Sequence, residues 1–105
     1  MTKLKPKDIK PLRDLILQEQ HGCCAICNEP IDPAEAVLDH CHKTGYIRAV
    51  LHRGCNAYIG HMENNQTRNR ITPDRLQAIL NNFLYYINTH RLYICLLYTS
   101  DAADE

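Results

Sequence analysis

Two sets of residues in this sequence are of types that do chemistry at the spacing they show. Cys24 and Cys27 form a pair with two residues between them, and 24 residues later His52 and Cys55 form a second pair with the same gap. Zinc takes four soft or borderline ligands in a tetrahedron, and two such knuckles supply three thiolates and an imidazole. A metal held there contributes directly to folding, because a preformed site rarely survives in the unfolded chain. The second set is Asp39-His40-Cys41-His42 together with Asn56. Asp and Asn offer hard oxygen donors that suit Mg²⁺ or Mn²⁺. A histidine beside such an ion can deprotonate a water for attack on phosphorus, and the ion stabilises charge on the phosphate oxygens. Each residue also has an ordinary use: Asp39-His40 as a surface turn, His42 as a hairpin cap, Asn56 as a helix cap. Cys23 and Cys41 compete as zinc ligands. Using Cys23 breaks the two-residue gap, so it is expected as a small buried thiol beside the knuckle, and the neighbours of Cys41 suit the other task.

The elements that must position these groups can be read from pattern. Residues 1–10 are polar and rich in Lys, and read as a mobile basic arm. Pro11 to Gln20 reads as a helix, with Pro in its first turn, Leu12, Leu15 and Ile16 on one face, and Gly22 where a helix stops. Ala36–Asp39 and Tyr46–Leu51 are strand candidates joined by a His42-Lys-Thr-Gly45 turn, which makes a hairpin. In an extended strand alternate side chains share a face, so His40 points away from Asp39 unless the backbone bends there. Arg53 to about Met62 reads as a short helix that carries Asn56, and Glu63–Ile71 as a polar connection. The clearest helix spans about 73–88. Thr72 can cap it, Pro73 takes its first position, and Leu76, Ile79, Leu80, Phe83, Leu84 and Ile87 follow the helical period. That stripe is expected to cover the core of its own domain, and pairing with a second copy, a homodimer, stays open. The fold class implied is α+β, with one domain over residues 11–94.

Composition sets limits. At 105 residues the chain can bury only a limited core, so a staple such as a metal is expected. Formal net charge is zero, which is unusual for a nucleic-acid partner. The zero hides a skew: taking Asp101, Asp104 and Glu105 from the 12 acidic residues leaves nine against 12 basic ones over residues 1–94. Residues 95–105, Cys-Leu-Leu-Tyr-Thr-Ser-Asp-Ala-Ala-Asp-Glu, resemble the translation of a transposon-type sequencing adapter, and are set aside from fold reasoning as such an artefact. No signal peptide and no membrane-length apolar run is visible, which points to a cytoplasmic, reducing setting where clustered cysteines are metal ligands rather than disulfides.

The pattern Cys24-Ala-Ile-Cys27, Leu38-Asp-His-Cys-His-Lys-Thr-Gly45, Ile47-Arg48 and Leu51-His-Arg-Gly-Cys-Asn56, closed by Ile59-Gly60, resembles the phage recombination endonuclease VII family within the wider His-Asn-His group. The resemblance runs from about Gln18 to Gly60. It implies a ββα-metal core beside a structural zinc, and hydrolysis of DNA phosphodiester bonds. It implies that Asp39 and Asn56 hold the catalytic divalent ion, that His40 is the general base, and that His42 assists near the scissile phosphate. Arg48 would support the site or contact phosphate, and Lys43 and Arg53 would also lie on DNA. His52 stands where the family pattern has Cys, a change that tetrahedral zinc accepts. The alternative is a zinc-bearing nucleic-acid-binding module without catalysis; a disulfide-stabilised interaction protein ranks below both.

Overall fold

The computed structural model describes residues 4–89. The adapter-like residues 95–105 and the first three residues of the basic arm lie outside the described residues. The order of elements is helix α1 (Pro6–Glu19), strand β1 (Ala36–His40), strand β2 (Ile47–His52), helix α2 (Arg53–Arg68) and helix α3 (Pro73–Ile87), with one 3-10 turn, Pro33–Glu35, ahead of β1. The fold is therefore α+β, as expected. Contacts divide the chain into two compact units, Met1–Arg68 and a second that begins at Asn69. No helix among the described residues is long and apolar enough to cross a membrane.

α1 starts five residues earlier than its sequence suggests, so Lys7 and Lys10 are helical rather than part of a loose arm. Pro6 takes the first helical position, where a missing N–H costs nothing. Asp8 closes the first turn: its carboxylate accepts from the Lys5 backbone N–H at 3.4 Å, and its own N–H donates to the Lys5 carbonyl at 2.8 Å. Pro11, read from sequence as the start, sits inside the helix at the loss of one backbone bond. The helix stops as expected. His21 and Gly22 take positive φ, and Gly22 N–H returns to the Leu17 carbonyl at 2.9 Å.

β1 and β2 form an antiparallel hairpin in which Ala36 faces His52, Val37 faces Leu51, Leu38 faces Val50 and Asp39 faces Ala49. His40 then faces Ile47, so the register slips between Asp39 and His40 and Arg48 is the extra residue. Such a bulge bends the strand locally and re-aims its side chains. The turn closes through Cys41 N–H to the Tyr46 carbonyl at 2.8 Å, with Gly45 at φ +80. α1 and α2 both pack against this hairpin. The buried apolar residues are Leu17, Cys24, Ile31, Ala36, Val50 and Leu51, flanked by Ile16, Leu38, Cys55 and Ile59.

α2 is longer than its sequence suggests. Glu63 to Arg68, read as a connection, is helical. Asn, Gln and Thr are only mediocre helix formers and cluster in loops as often as here, yet none forbids a helix. The end is set by Arg68 in the last turn and by Arg70 at φ 54.

α3 begins as expected, with the Thr72 hydroxyl accepting from Arg75 N–H at 3.3 Å and Pro73 at the first position. Its apolar stripe does not cover a core among the described residues: no residue of α3 is buried, and Ile79, Leu80, Phe83, Leu84 and Ile87 are exposed.

One side chain joins the end of α1 to the hairpin. The Gln20 amide donates to the Val50 carbonyl at 2.9 Å and to the Cys23 carbonyl at 2.7 Å, and its oxygen accepts from Val50 N–H at 2.9 Å. It pairs with β2 as a neighbouring strand would. Gln20→Ala leaves the Val50 N–H, in the most buried residue of the core, without its partner, and is expected to lower stability by about 2–3 kcal/mol, measured by urea unfolding of the metal-loaded protein.

Candidate functional site

The first knuckle is built by backbone. Cys24 N–H donates to the Glu29 carbonyl at 2.8 Å, Asn28 N–H donates to the Cys24 carbonyl at 2.9 Å, and Asn28 sits at φ 66. This turns the chain tightly enough to bring Cys24 and Cys27 onto one side. Ala25 N–H ties the knuckle to β2 through the Val50 carbonyl at 3.2 Å. The second pair comes from the junction of strand and helix: His52 ends β2 and Cys55 lies in the first turn of α2.

The structure brings these four residues together, with their donor atoms all within 4.8 Å of one another. His52 Nδ1 lies 3.3 Å from Cys27 Sγ and 3.8 Å from Cys55 Sγ. A tetrahedral zinc with ordinary Zn–S and Zn–N bonds needs N···S edges of about 3.6 Å, so the donor set fits that ion. His52 Nε2 is 2.9 Å from the Pro30 carbonyl. That contact puts the ring proton on Nε2 and leaves the Nδ1 lone pair facing the thiols, the orientation that metal-binding imidazoles require. Burial alone would push the Cys24 thiol up, but backbone N–H donors at Cys27, His52 and Ile26 outweigh it and bring it down to about 6. Burial and the neighbouring Cys27 and Cys24 push Cys55 up to about 11. The cluster thus shares charge unevenly until a cation neutralises it. Cys23 is half-buried beside the knuckle, with its thiol 3.7 Å from the His21 carbonyl, and the fully buried thiol is the ligand Cys24. Cys41 takes no part in the cluster. Its thiol is lowered by the Thr44 side chain and by the Thr44 and Lys43 backbone in the hairpin turn.

A second set of side chains meets at an open cavity of about 270 Å³ lined by Asp39, His42, Asn56, Ala57, Gly60, His61, Glu63 and Asn64. Asp39 reaches it from β1, His42 from the turn, and the rest from one side of α2. Asn56 lies inside the first turn of α2, which begins at Arg53, so it is not the helix cap that its type allows. Gly60, one turn on, leaves the wall bare, since a Cβ there would meet no heavy atom within 4 Å. His40 is not among the lining residues. It is exposed and stacks on His42, with ring centroids 5.0 Å apart and planes at 27°. Asp39 is buried and the adjacent His40 is exposed, as strand alternation dictates, and the slip at Arg48 falls between them.

Arg48 is committed within the protein. Its Nε donates to Asp39 Oδ2 at 2.8 Å and its Nη2 to Asp39 Oδ1 at 3.3 Å. The same guanidinium donates to Glu63 through Nη1 at 2.9 Å and Nη2 at 3.1 Å. Four of its N–H groups are therefore spent on two carboxylates within the protein. The hydrogen bonds that Arg48 donates to Glu63 and then to Asp39 raise its pKa, and Arg48 holds Glu63 below the usual carboxylate range. Of the other two cations expected on DNA, Lys43 is exposed in the hairpin turn, and Arg53 is exposed with one N–H 3.4 Å from the Ala34 carbonyl. Glu63, His61 and Asn64 were not legible as site residues. Their signal is the helical spacing i, i+4 and i+7 from Asn56 and Ala57, which for Glu63 and Asn64 appears only once α2 is continued past Met62.

The model of a protein family described as recombination endonuclease VII matches residues 2–89 of the chain. A comparison with curated proteins gives no match. The resemblance read from the Cys, Asp-His, Arg and Cys-Asn pattern agrees with that family.

The four-donor cluster generates a direct test. Protein purified without chelator is expected to carry about one zinc per chain, and Cys27→Ser or Cys55→Ser is expected to lose it together with the cooperative thermal transition. Elemental analysis and calorimetry on the same samples measure both. Full zinc content with unchanged melting in Cys27→Ser would show that the cluster is not the metal site.

Proposed function

The chain belongs to the recombination endonuclease VII family, and we propose that it is a metal-dependent endonuclease that hydrolyses DNA phosphodiester bonds at the cavity between β1 and α2. The observation that carries this reading is the meeting of Asp39, His42 and Asn56 at one open cavity. The Asp39 carboxylate and the Asn56 amide oxygen are hard donors of the kind Mg²⁺ and Mn²⁺ take, and they are the residues that would hold such an ion. When bound, it supplies positive charge beside the phosphate oxygens and the leaving oxygen. A carboxylate in a phosphate site repels its substrate unless a cation stands between them, so Asp39 is unsuited to a module that only binds DNA.

His40 is the residue assigned to take a proton from the attacking water. It is solvent-exposed and held by stacking on His42, whose ring faces the cavity. As the water oxygen bonds to phosphorus, its proton passes to the imidazole and the P–O bond to the leaving strand end breaks. His42 is assigned to the phosphate side of the cavity. Lys43 and Arg53 are assigned to the DNA backbone, where exposed cations at a groove contribute affinity that falls with salt. Zinc at Cys24, Cys27, His52 and Cys55 is assigned a structural role, because all four positions are filled by protein.

Purified protein is expected to cut plasmid DNA with Mg²⁺ or Mn²⁺ and not with EDTA, and Asp39→Ala to be inactive. His40→Ala is expected to lose at least about 100-fold in rate while keeping its zinc and its melting temperature. Specific DNA retention by a zinc-loaded protein that cuts nothing under any metal would favour the non-catalytic binding module. Normal cutting by His40→Ala would move the base elsewhere, with His42 next in line.

A further inference from the structure

The guanidinium of Arg48 is shared unequally. Three of its four contacts, Nε to Asp39 Oδ2 and both bonds to Glu63, run from 2.8 to 3.1 Å. The fourth, Nη2 to Asp39 Oδ1, is 3.3 Å. Glu63 thus draws the Nη end of the guanidinium towards α2, and Oδ1 is the oxygen of Asp39 least committed to Arg48. Asp39 is buried and its partner is positively charged, so left alone Arg48 would close a symmetric fork on both oxygens, the geometry that this pair prefers. Such a fork occupies the donor that a cation needs. Charge acts in the same direction. Asp39, Arg48 and Glu63 together carry one net negative charge, and without Glu63 they carry none.

We propose that Glu63 is a positioning residue which keeps Asp39 available to the divalent ion by holding Arg48 back. The proposal rests on the metal-dependent reading above and adds to it a residue outside the sequence motif. Glu63 acts through Arg48: it pins the Nη end of the guanidinium, keeps the bond from Arg48 to Oδ1 of Asp39 the longer of the two at the cavity that both carboxylates line, and offsets the Arg48 charge that would otherwise repel a dication. Arg48 remains near enough to keep Asp39 aimed.

The test is Mn²⁺ binding to the full-length, zinc-loaded chain, followed by the paramagnetic resonance of free Mn²⁺, with plasmid cleavage measured in parallel. Glu63→Gln and Glu63→Ala are both expected to weaken Mn²⁺ binding by on the order of tenfold, with cleavage at saturating Mn²⁺ within about threefold of the unaltered protein. In an Arg48→Gln background the same change at Glu63 is expected to matter less than about threefold, because the residue it works through is gone. Zinc content and melting temperature report whether each variant is folded, and either variant at Glu63 suffices. A tenfold loss in both backgrounds would make Glu63 a direct ligand and overturn the proposal. Undiminished binding in Glu63→Gln, with binding and cutting intact in the parent, would also overturn it and leave the nuclease reading standing. A parent chain that neither binds Mn²⁺ in an Asp39-dependent way nor cuts DNA would remove both.

Discussion

A buried apolar interior of Leu17, Cys24, Ile31, Ala36, Val50 and Leu51 is too small to hold two helices, a hairpin and a knuckle in one arrangement by hydrophobic burial alone. What joins them is the four-donor cluster. Cys24 and Cys27 lie on a turn closed by its own backbone bonds, while His52 and Cys55 straddle the passage from β2 into α2. Drawing these donors together fixes the angle at which α2 leaves the sheet. Asn56 is the next residue after Cys55, so its direction is tied to the four-donor cluster. The Pro30 carbonyl completes the arrangement by setting the tautomer of His52. Gln20 does comparable work for α1, where an amide in place of a strand ties the helix end to Val50.

The second constraint is electrostatic. Asp39 is the buried charged residue of the described chain, with 7% of its surface exposed. A carboxylate at such a position needs a partner, and the bulge at Arg48 supplies it by displacing that residue from its regular register. The ion pair therefore has two consequences at once. It allows a charge under the sheet, and it puts a cation beside the carboxylate that is proposed to hold a second one. Glu63, one helix away, divides the loyalty of Arg48 and so eases that conflict. The three residues come from three elements, β1, β2 and α2, which makes the ladder a cross-link as well as part of a site.

Local chemistry was legible in the sequence where it depends on spacing. The two CxxC-like pairs, the hairpin, the Gly22 stop and the Thr72-Pro73 start can all be read because each follows from one or two residues acting on their own neighbours. What could not be read depends on competition between distant groups. The start of α1 at Pro6 was hidden because Pro11 is also a good first residue, and only Asp8 folding back on Lys5 decides between them. The last turns of α2 were hidden because Asn64, Asn65 and Gln66 have no strong preference, and Glu63 was lost with them. Alternation along β1 left open whether Asp39 and His40 could serve one site. The structure puts a bulge in the opposite strand at that step, which no pattern in Asp39-His40 itself encodes, with Asp39 lining the cavity and His40 outside it beside His42. The stripe on α3 was read correctly as helical. Its burial does not follow from its period, because period reports a face and not what covers it.

The bulge also explains how neighbouring residues can have opposed requirements. A group that holds a hard cation works best fixed and largely dehydrated, so that its orientation costs nothing when the ion arrives. A group that takes a proton from water works best at the solvent boundary, near the water it must activate. In a regular strand Asp39 and His40 would simply occupy opposite faces, and only one could approach the ligand side of α2. Asp39 is buried and lines the cavity beside α2, while His40, across the slip at Arg48, is exposed at the end of β1 and stacks on His42, which does line the cavity. The acidic and the basic halves of the proposed chemistry thus differ in environment yet are joined by one peptide bond. A change that removed the bulge would be felt first in the relation between these two side chains, before any loss of the hairpin itself.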